Sequence, residues 1–351
     1  RRSRGRSVRG RFEKAQCQLF FICMKDSNNN RQDASRLSGV LHTHAQMLGD
    51  NLRNKLLFDS IKSHVTSETS FLDIGTGTGV WAIIAAKLGA KRIVAVEMEE
   101  SLIPIIYRHA QENGVADKIE IIHSHSDNLT IDGKFNLIIS ELFGANIFGD
   151  KTISSFIKLR NRFLSKDGLL IPQRMALFAV PARVEQSIQN LPAELPISCE
   201  YFKSLKLNYT QNVVLFDRQA IKFSADPQKI LEIDFRTVEK APSLDDLSAT
   251  WKVSNMNEIN AIVTFSRSHF TDENEMDNFS SQSWSVGIYE FVPFKQKAGE
   301  MSFSLTMEPK RMSWSVSLPS HPEVKKQNYS PVFAVGLLKM MLESTPHAKF
   351  N

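Results

Sequence analysis

The chain has 351 residues, 42% of them hydrophobic, enough for a large core and two or three domains. Its formal net charge of +5 is lopsided: RRSRGRSVRGR at the start holds six arginines and no acid, and the remainder is slightly acidic. That distribution excludes broad nucleic-acid binding by the folded body. The three cysteines, Cys17, Cys23 and Cys199, form no CxxC pair and point to a reducing compartment.

In chain order, residues 1–40 read as a basic, then polar, partly disordered arm. Its apolar run LFFICM is a strand or short helix rather than a targeting segment. From Ala45, Met47, Leu48, Leu52, Leu56, Leu57 and Ile61 recur at helical spacing. Strands and helices then alternate. SFLDI, RIVAVE, KIEIIHS, FNLIIS and LLIP are the strands; VWAIIAAKLGA, SLIPIIYRHAQENG and SSFIKLRNRFLSKDG are the helices. Five strands in this pattern predict a parallel, doubly wound sheet. After Pro172 come short strand runs: MALFAVPARV, VVLFD, KILEIDF, NAIVTFSR, WSVGIYEFVPF, MSFSLTM and MSWSVSL. They predict an antiparallel β-domain, a barrel or sandwich. An insertion at 186–212 is less strand-like, and SPVFAVGLLKMMLES near the end reads as a helix. No run reaches the ~18 apolar residues of a membrane-spanning helix. The predicted domains are 1–40, 41–172, 173–318 and 319–351.

FLDIGTGTGVWA places Gly75, Gly77 and Gly79 between a strand and a helix, where backbone can approach a ligand. Glu97 ends the next strand, suited to a ribose hydroxyl pair. A dinucleotide fingerprint counted from Gly75 requires Gly or Ala at position 80, where this chain has Val80. The GxGxG form with a following ribose acid points instead to S-adenosylmethionine, and Asp127 stands where an acid for the adenine is expected. His42 and His44, and His123 and His125, have two-residue spacing. No third ligand accompanies either pair, so no metal site is expected.

SELFGANIFGD carries Glu141 and Asp150 at the ends of a loop otherwise free of charge. Glu141 closes an apolar strand and has no helix-capping use. Asp150 precedes a helical run and reads either as a functional acid or as an N-cap.

Together with HAQMLGDNLRNKLLF, FLDIGTGTGVW, IVAVEME, HSD, GLLIPQR and SQSWSVGIYEF, this loop resembles the protein arginine methyltransferase family over about residues 41–318. In motif style it is most similar to the monomethylating (type III) branch. The resemblance implies an α/β Rossmann-like methyltransferase domain, then an antiparallel β-barrel with a helical dimerisation arm inserted at about 186–212. It implies methyl transfer from S-adenosylmethionine to arginine guanidinium nitrogens, monomethylation favoured, with S-adenosylhomocysteine as product. Donor contacts would come from His44, Met47, Arg53, Asp73, Gly75, Thr76, Gly77, Glu97, Asp127 and Glu141. Among these, Arg53 would pair with the methionyl carboxylate, Glu97 with the ribose and Asp127 with the adenine amino group. Glu141 and Asp150 would grip the substrate guanidinium as catalytic acids. Met47, Gln282, Ser283 and Trp284 would wall its pocket.

The implied partners are arginine/glycine-rich proteins, histones and RNA-binding proteins among them, and a second copy in a homodimer, in cytoplasm or nucleus. No membrane is implied, and nucleic acid only weakly, through the N-terminal arm. That arm reads as a solvated tail, a salt-sensitive nucleic-acid contact or a target-like segment for self-methylation. Three departures stand out: Asp150 where Glu is usual, Ser283 where many members have His, and RLSGVLHTH in place of an aromatic YFxxY helix. They leave open a catalytically impaired donor-binding partner of an active relative. A methyltransferase for a small molecule or RNA is a third reading, and the paired acids argue against RNA because they repel phosphate.

Overall fold

The computed structural model describes residues 29–141, 150–185, 198, 211–214, 220–308, 311–318 and 324–329. The chain divides into two units, residues 1–48 and 49–351, each described by itself. The first contributes helix α1 (Asn29–Gly49). This helix begins well before Ala45, inside the stretch read as a polar arm. Leu37, Val40, Leu41, His44 and Leu48 repeat at three- and four-residue spacing, the periodicity that sustains it. The arginine arm lies outside the described residues.

The second unit opens with α2 (Asn51–Lys62), whose N-cap is Asp50. The helical periodicity therefore runs through a break, because Asp50 leaves helical geometry and accepts the Arg53 N–H at 3.3 Å. A parallel sheet follows: β1 (Ser70–Ile74), β2 (Arg92–Glu97), β3 (Ile119–His123), β4 (Phe135–Ile139) and β5 (Leu164–Ile171), in the order β3-β2-β1-β4-β5. Its crossover helices are α3 (Val80–Lys87), α4 (Ile103–Glu112) and α5 (Asp150–Phe163). Phe71, Leu72, Ile74 and Val94 are buried, as strands covered on both faces require. α5 ends sooner than LRNRFLSKDG suggests: Leu164 to Gly168 join β5 instead, through an irregular pairing with β4 between Phe135 and Leu137.

Then come two antiparallel sheets. Seven strands, β6 (Arg174–Val184), β7 (Gln211–Val214), β8 (Ile221–Phe223), β9 (Gln228–Asp234), β11 (Ala261–His269), β12 (Glu275–Asp277) and β13 (Ser285–Glu290), form one sheet. β10 (Leu247–Val253), β14 (Gly299–Glu308), β15 (Arg311–Ser317) and β16 (Val324–Tyr329) form the other. Of these, β8, β10, β12 and β16 go beyond the runs read from sequence. β10 carries a plain signal, with Leu247, Ala249, Trp251 and Val253 buried and the residues between them exposed.

A continuous core runs from the parallel sheet into one face of the antiparallel region, including Leu57, Leu137, Met175, Ile262, Trp284 and Phe303. A second cluster covers the other face of the seven-stranded sheet, around Val180, Val263 and Val286. The expected arm at 186–212 lies outside the described residues apart from Ser198 and the start of β7, as does the expected C-terminal helix. Among the described residues, no helix is long and apolar enough to cross a membrane.

Candidate active site

Strand order reverses at β1 and β4, so a crevice opens at their carboxyl ends. Four of the predicted acids follow from this edge: Asp73 in β1, Glu97 at the end of β2, Asp127 after β3 and Glu141 after β4.

The glycine loop is held at every step. The N–H groups of Gly75 and Thr76 both donate to the Val96 carbonyl, at 2.9 and 3.0 Å. The Gly77 N–H donates to Glu97 Oε2 at 2.8 Å. Gly75, Gly77 and Gly79 have φ of 70°, 60° and 85°, values that a side chain resists. A Cβ at Gly79 would also stand 2.9 Å from Ile106 Cγ2. The other Glu97 oxygen accepts the N–H groups of Met98 and Glu99, at 2.8 and 2.9 Å. Glu97 is thus buried but fully braced by backbone.

Asp73 is buried, and its Oδ2 accepts from Thr76 Oγ1 at 2.6 Å and the Ala82 N–H at 3.2 Å. Burial pushes its carboxyl up to about 7, against the pull of those two donors, with the Glu97 and Glu141 charges adding to the rise.

Asp127 is half-exposed in the turn Ser126–Asn128, beside His125. A cleft lined by Ser126, Ser155, Lys158, Leu159 and Arg162 opens at it. His123 Nε2 bonds the Met98 carbonyl at 3.1 Å. Among the described residues, no group of three His, Cys, Asp or Glu is placed to hold a metal.

Glu141 is gripped from two sides. Arg53 Nη2 donates to its Oε2, both side chains being more than nine-tenths buried. Trp284 Nε1 donates to its Oε1 at 3.0 Å. The Arg53 guanidinium lies 5.9 Å from the Trp81 ring centre and gives Nη1 to Asn54 Oδ1 at 2.7 Å. Trp284 is buried edge-on to Phe270. Ser140, immediately before Glu141, is fully buried, and its hydroxyl finds no hydrogen-bond partner among the described residues.

Asp50 is the residue that sequence reasoning misses. It is fully buried, and one oxygen, Oδ2, collects Ser281 Oγ at 2.6 Å, the Gln282 N–H at 2.8 Å, the Ser283 N–H at 3.0 Å and Ser283 Oγ at 2.9 Å. Burial alone would raise its carboxyl. The Ser281 and Ser283 hydroxyls and the Gln282 and Arg53 N–H groups outweigh that and hold it below the usual range. One carboxylate thus fixes both the start of the helix carrying Arg53 and the loop carrying Trp284. An Asp between two helical runs is a legible N-cap signal, whereas its grip on residues 281–283 is purely tertiary.

Arg53, Glu141, Ser283 and Trp284 are therefore brought together, with Asp73, Gly75, Thr76, Gly77 and Glu97 along the same strand edge. Gln282 is exposed, with its backbone on Asp50. Asp150 opens α5, and its side chain, like residues 142–149, lies outside the description. His44 and Met47 lie on α1, at positions near the boundary of the first unit.

The fold is that of a nucleotide-type α/β domain joined to an antiparallel β-domain, and known proteins share it. The chain overlays the Trypanosoma brucei PRMT1 enzyme–prozyme heterotetrameric complex with AdoHcy at a TM-score of 0.68 and 18% identity, covering 82% of this chain and 96% of that one. It overlays Arabidopsis thaliana protein arginine methyltransferase 10 at a TM-score of 0.64 and 17% identity, covering 82% and 96%. The family model of ribosomal protein L11 methyltransferase (PrmA) matches residues 49–173.

Among curated relatives, the chain is 26% identical over 230 residues to probable protein arginine N-methyltransferase 6.2 of Oryza sativa, covering 61% of this chain and 55% of the relative. It is 33% identical over 137 residues to ribosomal protein arginine N-methyltransferase rmt3 of Schizosaccharomyces pombe, covering 38% of this chain and 25% of the relative. The chain thus spans about half the length of the rice relative, and less of the yeast one.

Proposed function

We propose that this protein transfers a methyl group from S-adenosylmethionine to an arginine guanidinium nitrogen of a protein substrate. The observation that carries the reading is Glu141, a buried carboxylate at the switch-point edge, oriented by Arg53 and Trp284 beside a glycine loop with a ribose acid. The similarity to protein arginine N-methyltransferases supports it.

The residues present fit the donor. The positive-φ glycines let backbone approach it, Glu97 Oε2 keeps an acceptor site for a ribose hydroxyl, and the Ser140 hydroxyl, without a partner among the described residues, offers a buried polar contact. Asp127 would take the adenine amino group and Arg53 the methionyl carboxylate, with Asp73 and Thr76 shaping the loop. When bound, the donor supplies a methyl already activated on sulfur.

The protein's own part is alignment and charge. Arginine stays protonated at physiological pH, and its planar fork suits carboxylates. Glu141 and Asp150 would lock that plane and draw its charge toward the nitrogens they hold, leaving the remaining nitrogen the better nucleophile. Gln282, Ser283 and Trp284 would wall the pocket. Asp150 is one methylene shorter than Glu, about 1.5 Å of reach. In this reading residues 41–172 hold the donor, 173–318 present the substrate, monomethylarginine is the favoured product and the working form is a homodimer in cytoplasm or nucleus.

The test is transfer of labelled methyl to an RGR-type peptide, with mass spectrometry of the product. Methylarginine supports the reading; no transfer to any arginine-rich protein, with donor bound, favours the second one. That second reading is a donor-binding scaffold for an active relative. It is motivated by Ser283, whose hydroxyl is committed to Asp50 in the place of an imidazole, and by the prozyme in the trypanosome complex.

A further inference from the structure

We propose that His109, on the helix behind the glycine loop, is a positioning residue for the methyl donor. The proposal rests on the donor reading above and adds a residue that no motif marks. α4 turns Ile106, His109 and Ala110 to one side, at the three- and four-residue spacing of a packed face. Ile106 and Ala110 are fully buried there. His109, between them, is half-buried and spends its ring on the loop: Nδ1 lies 3.0 Å from the Thr78 carbonyl oxygen. A carbonyl can only accept, so Nδ1 carries the hydrogen and donates.

The consequence follows from the planarity of the peptide unit. Holding the Thr78 carbonyl toward α4 turns the N–H of Gly79 the opposite way. That N–H donates to the Thr76 carbonyl at 2.9 Å and closes the turn. The same helix sets the clearance of Gly79, through Ile106. The loop is thus shaped from two sides. Glu97 holds the Gly77 N–H from β2, and His109 holds the Thr78 carbonyl from α4. Glu97 must also meet the ribose, so any slack in the loop on the α4 side changes the position of the acid that binds donor. His109 touches no donor atom in this scheme; it acts through Thr78 and Gly79.

Three variants separate the hydrogen bond from the packing. His109→Phe keeps a ring without the donor, His109→Asn keeps an N–H donor without the ring, and His109→Ala removes both. Affinity for S-adenosylhomocysteine is measured by calorimetry on the full chain, with melting temperature alongside. The expected result is a loss on the order of threefold to tenfold for Ala and Phe, the worth of one hydrogen bond, with Asn within about twofold of the parent. Parent-like binding by both Ala and Phe would overturn the proposal. So would a rescue by Phe and not by Asn, which would assign His109 to packing alone. A parent protein that binds no donor would instead sink the function proposed above, and the role of His109 with it.

Discussion

Two glutamates with buried side chains stand at the ends of the strands that flank β1 and are held in opposite ways. Glu97 is braced by backbone N–H groups from Gly77, Met98 and Glu99, all within 20 positions. Glu141 is braced by two side chains, Arg53 and Trp284, 88 and 143 positions away. The first is a local device, complete once β1, β2 and their turn exist. The second is complete only when α2 and the loop before β13 are both docked. One acid is positioned by local structure and the other by tertiary contact.

The strongest way to break the contrast is Glu141→Gln. It leaves the buried Arg53 guanidinium without its carboxylate, and the loss of one partner of such a pair costs about 3–5 kcal/mol. Chemical denaturation should show that loss, with methyl transfer falling at least about a hundredfold. Asp50→Asn comes next. It weakens a cluster of hydrogen bonds to a charged oxygen, each worth about 1.5–3 kcal/mol, and the replacement amide recovers part. Methyl transfer should fall, and donor affinity with it, because the same carboxylate sets the start of the helix that carries Arg53.

Asp73 sharpens the comparison through pH. Its folded carboxyl is raised from 3.8 to about 7, so between those values the folded state binds more protons than the unfolded one. The contribution of the neutral group is complete below 3.8 and is lost as pH rises through about 7. The melting temperature of donor-free protein should therefore fall across that window, and Asp73→Asn should flatten it. The smallest effect belongs to Lys55 and Asp59, an exposed i,i+4 pair on the same helix as Arg53. Replacing both with Ala should move stability by no more than about 0.5 kcal/mol, against several for the buried Arg53–Glu141 pair.

The same division governs how much the sequence discloses. The five parallel strands and the glycine loop are local patterns, and FLDIGTGTGVWA with a following acid marks the donor edge without any fold in hand. β10 was equally readable by its alternation. Asp50 is legible only as a helix cap, because its other partners, Ser281 to Ser283, are more than 200 positions away, in a separate motif whose pairing with it no local pattern discloses. The early end of α5 depends on the pairing of Leu164 to Ile171 with β4, a choice that local propensity leaves open.

The central claim is that the Glu141 edge recognises a guanidinium rather than cations in general. The most direct measurement compares methyl transfer to an RGR peptide and to its KGK counterpart, with the parent protein and with Glu141→Gln. The expected result is transfer to arginine alone, abolished by the substitution, because a lysine ammonium cannot fill a planar, two-edged grip. Equal transfer to lysine, or undiminished transfer by Glu141→Gln, would contradict it.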